Sequence, residues 1–227
     1  MPSLHIFNSD FDRAIEATDE YIEKMPSLEL NYILENNQLG GVHFHRFLAF
    51  SHNQQDEDSF REIEQFSKYR MNVMEYNKSS MTKKQFQNGQ DFLNYQVVLM
   101  NAWHDILFGR YDNARKSLSS AREFIDGWAK ENPESQFPYF DINVFEGMIY
   151  LNEGNFEASL KSFEKTKGKV GNGALNMDRV YFDYFHAVTL RAVGRTDEAN
   201  NIFNRIANEN FYGIGRALTR ELAAAQI

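Results

Sequence analysis

The sequence predicts an all-α protein built from antiparallel helical hairpins, and three observations lead to this prediction. Apolar residues recur at spacings of three and four along most of the chain, as on a helix that buries one face. Only 4 prolines occur in 227 residues, so long helices are rarely interrupted. A six-residue element that begins with glycine occurs three times, at 109–114, 154–159 and 194–199. Its copies start 45 and 40 residues apart, a period typical of stacked helical hairpins.

Residues 1–80 are predicted to form irregular helical hairpins with an excess of acidic side chains. The predicted segments are a helix over 11–25, a weaker helix over 28–39, an apolar segment over 42–51 and a helix over 60–76. Gly40 and Gly41 are expected to separate the second segment from the third, and 52–58 is expected to form a polar turn. Acidic residues 56–58 come just before the helix over 60–76. Their negative charge interacts favourably with the positive end of the helix dipole.

Residues 81–227 are predicted to form regular hairpins that are continuous with this first part. The most apolar helix covers 85–108, and its apolar residues surround much of its circumference, which indicates burial on several sides. The partner helix carries a stripe of Ala114, Leu118, Ala121, Ile125 and Trp128. Two further hairpins pair 140–152 with 156–166 and 177–193 with 197–209, separated by a glycine-rich loop over 167–173. A last helix over 215–225 is expected to cap the stack.

The three repeats share further positions around the glycine. A small residue lies seven positions before it, at Ala102, Gly147 and Ala187, where two helices can approach closely. A bulky apolar residue lies nine positions after it, at Leu118, Phe163 and Phe203. Four positions before the glycine, two repeats have a large side chain, Tyr150 or Leu190. The first repeat has Asp105 at this position and departs from the pattern. This pattern resembles the tetratricopeptide (TPR) repeat. The resemblance implies a right-handed superhelix of antiparallel hairpins, a fold that mostly serves protein binding.

The resemblance covers residues 90–225 and does not indicate a particular subfamily. The proline that links repeats in the family is absent at positions 126, 171 and 211, and the connections exceed those of a 34-residue period. Residues 28–80 match the pattern poorly. We therefore divide the chain into an acidic N-terminal part, 1–80, and a repeat part, 81–227.

Composition limits the kinds of partner and compartment. The net charge is −8, of which residues 1–80 contribute −7, so no clustered Lys and Arg are available to grip nucleic acid. The chain has no cysteine, which excludes disulfides and thiolate metal sites. No stretch is apolar enough to span a membrane, and residues 1–6 do not resemble a secretory signal. We expect a cytoplasmic protein that binds neither nucleic acid nor membrane.

No motif for catalysis, metal or cofactor emerges from the sequence. His43 and His45 lie two apart, so a helix points them to different faces, and His52 adds no third ligand beside them. The loop over 168–173 is glycine-rich but lacks the Gly-Lys-Ser/Thr ending of a P-loop. Motifs for a nucleophilic serine, a zinc hydrolase or paired carboxylates are absent. We predict no catalytic residues, no bound metal and no cofactor, and therefore not an enzyme.

The resemblance implies that the first helix of each hairpin lines a concave groove. The predicted groove residues are Gln96, Leu99, Trp103, Ile106, Asp141, Val144, Met148, Tyr181, Tyr184, Val188 and Arg191. This wall is apolar and aromatic, unlike the Lys/Asn clamp with which some TPR domains hold acidic chaperone tails. Two interpretations stay open: an exposed binding groove, or core that the N-terminal helices or a second copy of the protein cover.

The function predicted from these observations is a non-enzymatic protein–protein interaction module. Its ligand would be a peptide or partner helix, with Trp103, Tyr181 and Tyr184 as anchors and Arg191 or Asp141 fixing the orientation. One alternative is a structural or homodimeric protein that uses the same wall for self-association. Another is an accessory domain of a larger enzyme or sensor.

Overall fold

The computed structural model describes residues 11–131, 139–166, 175, 179–208, 223 and 226, and these contain nine α-helices and no strand. The helices are α1 (Phe11–Lys24), α2 (Tyr32–His52), α3 (Asp56–Asn77), α4 (Lys83–Leu107), α5 (Tyr111–Glu131), α6 (Phe140–Asn152), α7 (Phe156–Glu164), α8 (Arg179–Ala192) and α9 (Thr196–Asn208). Short 3₁₀ turns, Met25–Leu28 and Lys78–Ser80, follow α1 and α3. The all-α prediction is confirmed for this part of the chain.

Consecutive helices pack as hairpins, and the hairpins pack on one another. The hairpin pairs are α2 with α3, α4 with α5, α6 with α7 and α8 with α9. Each hairpin also contacts the next through its neighbouring helices, and the first helices of successive hairpins touch, in the order α2, α4, α6 and α8. This arrangement of neighbours is compatible with a helical repeat fold.

Four hairpin turns have the same backbone geometry, although the sequence indicated only three. One residue in each turn has a positive φ: Gln54 (60°), Gly109 (72°), Gly154 (76°) and Gly194 (82°). The next backbone N–H then donates to the carbonyl five residues back, at 2.9, 2.7, 2.9 and 2.9 Å. This bond pairs helix-terminal carbonyls that would otherwise lack a partner. The α2–α3 hairpin therefore contains a fourth copy of the turn, which glutamine in place of glycine concealed.

The fourth turn also repeats the small residue that follows. Ser59, Ala114, Ser159 and Ala199 stand five positions after the residue with positive φ, and none exposes any surface. The Ser159 hydroxyl donates to the Gly147 carbonyl at 2.8 Å, and the Ser59 hydroxyl donates to the equivalent Phe47 carbonyl at 3.5 Å. Phe47 replaces the small residue of the other three repeats. Gln54 and Phe47 therefore both depart from the repeat pattern in residues 28–80.

Replacing Gln54 with glycine should raise the free energy of unfolding by about 0.5–1 kcal/mol. A side chain at positive φ is strained, and glycine removes that strain at the cost of a more flexible unfolded chain. The reciprocal change, Gly109→Ala, should destabilise because alanine acquires the same strain, although no atom lies within 4 Å of the added methyl. Urea denaturation of both variants measures the difference. If both substitutions stabilise the protein, or both destabilise it, the two turns are not equivalent.

The predicted break at Gly40 and Gly41 is wrong, because α2 continues through both residues to His52. A β-carbon at Gly40 would lie 3.3 Å from Nε of Arg70, so the glycine gives the α3 side chain room against α2. Arg70 also donates to the Asn37 carboxamide oxygen at 3.1 Å. Packing of α2 against α3 therefore offsets the low helix propensity of glycine, roughly 1 kcal/mol at each position, although only Gly40 lies close to an α3 side chain.

Other helix boundaries differ from the predictions by a few residues. Helix α3 begins at Asp56 rather than 60, and α4 begins at Lys83, where Thr82 and Gln85 form a capping box. Helix α6 has the predicted bounds, and α7 to α9 differ by one or two residues at their ends. The loop predicted at 167–173 and most of the last helix predicted at 215–225 lie outside the described residues.

Two main clusters of buried side chains form most of the core, and a third, small one joins Ala14 of α1 to Ala49 of α2. The larger one extends from Phe47 and Ile63 in the α2–α3 hairpin through Trp103 in α4 to Phe145 in α6 and Phe182 in α8. The smaller one joins α7, α8 and α9 around Phe203, and partly buried Phe185 contacts both clusters. The larger cluster thus includes side chains on both sides of residue 80.

A buried polar network ties α1, α2 and α3 together. Glu62 exposes 7% of its surface and binds Nδ1 of His43 at 2.5 Å and Nε of Arg46 at 2.9 Å. Arg46 also pairs with Asp19 of α1 and donates to the Thr18 hydroxyl at 3.0 Å. His43, one of the three histidines considered above as metal ligands, is therefore held by a carboxylate. No group of three metal-ligating side chains occurs among the described residues.

The protein should lose stability as the pH falls from 7 towards 5, because burial lowers the pKa of His45 and of His52 from 6.5 to about 4. Between these values the unfolded chain binds protons that the folded chain excludes, so protonation favours unfolding in this window. Each histidine should contribute about 2 kcal/mol between pH 7 and 5. Urea denaturation across this range, repeated with His45→Gln and His52→Gln, checks the prediction. If neither variant changes how the free energy of unfolding depends on pH, the prediction is wrong.

Candidate functional site

The structure buries most of the groove that the repeat pattern predicted. Six of its residues expose 3% of their surface or less: Leu99, Trp103, Ile106, Asp141, Val144 and Met148. Trp103 packs against Phe47 and Phe145, with ring centroids 5.7 Å away in each case, and against Phe44 at 6.4 Å. Helix α2 thus covers this part of the wall. A partner could reach these six side chains only if neighbouring helices moved.

The remaining groove residues do not form a continuous open surface with them. Gln96 and Val188 are partly exposed, Tyr184 is buried against Phe203 at 6.0 Å, and the side chain of Tyr181 lies outside the described residues. Arg191 already donates to the Asn200 carboxamide at 2.6 Å and to the Gln226 side chain at 2.7 Å. Arg191 therefore fixes residues of its own chain in this structure.

A cleft lies instead between the ends of α3, α4 and α5, next to two of the equivalent turns. It has a volume of about 710 Å³. We call it the Arg110 cleft, and its lining residues are Asp56, Glu57, Phe60, Arg61, Asn101, His104, Asp105, Arg110, Asn113 and Ser117. Arg110 comes from the hairpin turn before α5, and the others come from the first turns of α3 and α5 and the last turns of α4.

Arg110 is the centre of the cleft's ion network. It forms a two-pronged pair with Asp56, with distances of 2.5 Å to Oδ2 and 3.1 Å to Oδ1, and its Nε donates to Asp105 at 2.8 Å. These hydrogen bonds raise the pKa of Arg110, and the bonds from Arg110 lower the pKa of Asp56. Paired guanidinium–carboxylate bonds fix geometry as well as charge, so this network holds the start of α3 against the end of α4 and the turn before α5.

His104 completes the network as a neutral imidazole. Its Nδ1 lies 2.8 Å from a terminal nitrogen of Arg110, which can only donate, so Nδ1 accepts and Nε2 carries the proton. Nε2 faces Asp56 at 3.1 Å from Oδ1 and 3.3 Å from the backbone carbonyl. Burial lowers the pKa of His104, and the positive charge of Arg110 acts in the same direction. His104 therefore adds no charge to the cleft at neutral pH.

Two lining residues have groups that the chain leaves unused. Asn101 is partly buried, and its carboxamide oxygen is buried without a hydrogen-bond partner among the described residues. Leaving such an acceptor unpaired costs about 1–3 kcal/mol, and its burial keeps it out of reach of a ligand in this structure. Phe60 exposes 46% of its surface, and its ring lies 5.9 Å from that of His104. The cleft thus offers a ligand an aromatic face.

The sequence contained one indication of this cleft. Asp105 occupies the position where the other repeats have Tyr150 or Leu190, and the structure shows that it binds Arg110. The acidic residues 56–58 were predicted to lie just ahead of the helix; they form its first turn, and Asp56 also pairs with a residue 54 positions away. Sequence reasoning missed Asn101 and Phe60 because neither has an unusual spacing.

No family model, no curated protein and no solved structure matches this chain. Among the helices that the structure describes, none is long and apolar enough to cross a membrane. The Arg110 cleft therefore has to be interpreted from its own geometry.

Proposed function

We propose that this chain is a non-enzymatic protein-interaction module that holds a segment of a partner protein in the Arg110 cleft. The observation that carries the proposal is the cleft itself: about 710 Å³ of space beside an exposed Phe60 and within a rigid ion network. Peptide-binding sites commonly combine an aromatic anchor with a few fixed polar groups. The buried wall around Trp103 would then support the cleft from behind rather than contact the partner.

We also propose that the hairpins form a right-handed superhelix of the TPR-like class. Four equivalent turns, four buried small residues and contacts between successive first helices support this arrangement. In such stacks each hairpin contacts its neighbours and presents long surfaces to a partner.

Photo-crosslinking tests the proposed binding site. Benzoylphenylalanine at Asn113, which is exposed and lines the cleft, should form an adduct with a discrete partner in an extract of the native cells. The matched control carries the same group at Lys116, which is exposed on α5 but does not line the cleft. Circular dichroism checks that both variants fold. Equal adducts at both positions, or none at Asn113, would reject the Arg110 cleft as the binding site.

A second candidate function is self-association, and an exposed aromatic pair favours it. Tyr32 and Tyr76 stack with ring centroids 5.1 Å apart, yet they expose 45% and 59% of their surfaces. Exposed aromatic side chains of this kind are enriched at interfaces. If two copies meet here, sedimentation velocity should show concentration-dependent dimers that Tyr76→Asp abolishes. A strict monomer at all concentrations would reject this candidate.

A further inference from the structure

We propose that the Arg110 cleft recognises a positively charged side chain, the ammonium of lysine or the guanidinium of arginine, on the partner segment. This inference rests on the proposed function of the cleft and adds the chemistry of its ligand. Two features of the cleft carry it: its charge balance, which includes an exposed Glu57 that is unpaired among the described residues, and its exposed aromatic ring.

The charges that line the cleft leave an excess of carboxylate. Asp56, Glu57 and Asp105 are acidic, whereas Arg61 and Arg110 are basic, and His104 is neutral at pH 7. The lining charge is therefore −1, and Arg61 is itself paired with Asp58, just outside the lining, at 2.7 Å. Glu57 is exposed and makes no ion pair with a described residue. It is the carboxylate that remains available to a ligand.

An anionic ligand fits the cleft poorly. All three guanidinium nitrogens of Arg110 are already occupied, by Asp56, Asp105 and His104. An incoming carboxylate or phosphate would have to displace these partners and would face a lining whose net charge is −1. A cation meets the opposite situation, because the acidic groups lower its energy without disturbing the ion network.

The exposed aromatic ring of the cleft also suits a cation. Phe60 stands four residues before Glu64 and three after Glu57 on α3, with its ring partly open to solvent. A lysine or arginine head placed over an aromatic face gains a cation–π interaction. Glu57 lies on the same helical turn and can pair with that head.

Calorimetry with short peptides tests the inference on the full chain. The probes are acetyl-Gly-Leu-Arg-Leu-Gly-amide, its lysine counterpart and its citrulline counterpart, which retains the shape of arginine without the charge. The arginine and lysine peptides should bind about tenfold more tightly than the citrulline peptide, and the difference should shrink as salt rises. Equal affinities for the three peptides would overturn the inference while leaving the cleft as a binding site.

Two variants of α3 locate the interaction. Glu57→Gln should weaken binding of the arginine peptide by about three- to fivefold, whereas the matched change Glu123→Gln, on an exposed residue of α5 outside the cleft, should not. Phe60→Leu should cost about two- to fivefold. Both cleft residues are exposed, so neither change should unfold the protein. Equal losses for Glu57→Gln and Glu123→Gln would overturn the inference, because attraction would then come from general surface charge.

The crosslinking experiment separates failure of the inference from failure of the proposed function. A discrete adduct at Asn113 together with no charge-dependent peptide binding means that the cleft binds a partner of other chemistry. In that case only the inference of a cationic ligand is rejected. Absence of both adduct and peptide binding rejects the cleft altogether, and both proposals fall.

Discussion

Replacing Trp103 with alanine should lower the free energy of unfolding by about 3–5 kcal/mol, the largest loss that we expect from a single change in this chain. Trp103 exposes 3% of its surface and packs against Phe44, Phe47 and Phe145 from α2 and α6. The variant would leave a cavity at the point where three hairpins meet, and the surrounding aromatic rings could collapse into it only in part. Guanidinium denaturation followed by circular dichroism measures the loss.

Trp128→Ala is the matched control for this prediction. Trp128 is the other tryptophan of the chain, and it is only partly buried near the end of α5. Its removal should cost roughly 1 kcal/mol, the usual size for a residue outside the packed core. Similar losses for the two variants would mean that Trp103 is not enclosed by α2. A small loss at Trp103 would restore the interpretation of an open groove.

The second large effect concerns Gly147, which should not tolerate even a methyl group. A β-carbon there would lie 2.8 Å from Cε1 and from Cζ of Phe163, closer than non-bonded carbons approach. Phe163 is completely buried, with Phe182 and His186 against its ring, so it cannot move aside freely. Overpacking of this kind costs about 1–3 kcal/mol, which exceeds the gain in helix propensity from alanine. We expect Gly147→Ala to destabilise the protein.

Gly127→Ala should have the opposite sign and serves as the control. Gly127 also lies within a helix, but nothing stands within 4 Å of the added methyl. Alanine should therefore stabilise α5 by about 0.5–1 kcal/mol through helix propensity alone. Thermal and urea denaturation of both variants measure the sign and size of each change in stability. Stabilisation by both changes would show that α6 and α7 do not approach at Gly147 as closely as the structure has it.

The sequence predicted the helices best where one apolar face repeats without interruption. The stripe on α5 is buried at Ala114, Leu118, Ala121 and Ile125 and only partly buried at its last residue, Trp128, and α6 has its predicted bounds. Prediction failed at Gly40, where local propensity favours a break and packing against Arg70 outweighs it. It failed again at Gln54, because a glutamine with positive φ cannot be distinguished from any other polar turn residue by its type alone.

The candidate site was less accessible to sequence reasoning than the fold. Asp105 was visible as a departure from the repeat pattern, and the position of Asp56 at a helix start was predicted. Their common partner Arg110 was not, because ion pairs across 54 residues leave no periodicity. The unpaired oxygen of Asn101 is invisible in sequence, since burial and the absence of a donor are properties of the surroundings.

The sequence by itself determined which segments are helical and where three of the hairpins turn, because helix periodicity and glycine at positive φ depend on neighbours within a few residues. Only the tertiary structure decided which helix faces are covered. The wall around Trp103 has the residues of a binding groove, yet Phe44 and Phe47 of α2 pack over it. That outcome depends on contacts between residues more than fifty positions apart. The same long-range packing brings the first turns of α3 and α5 together and so forms the Arg110 cleft.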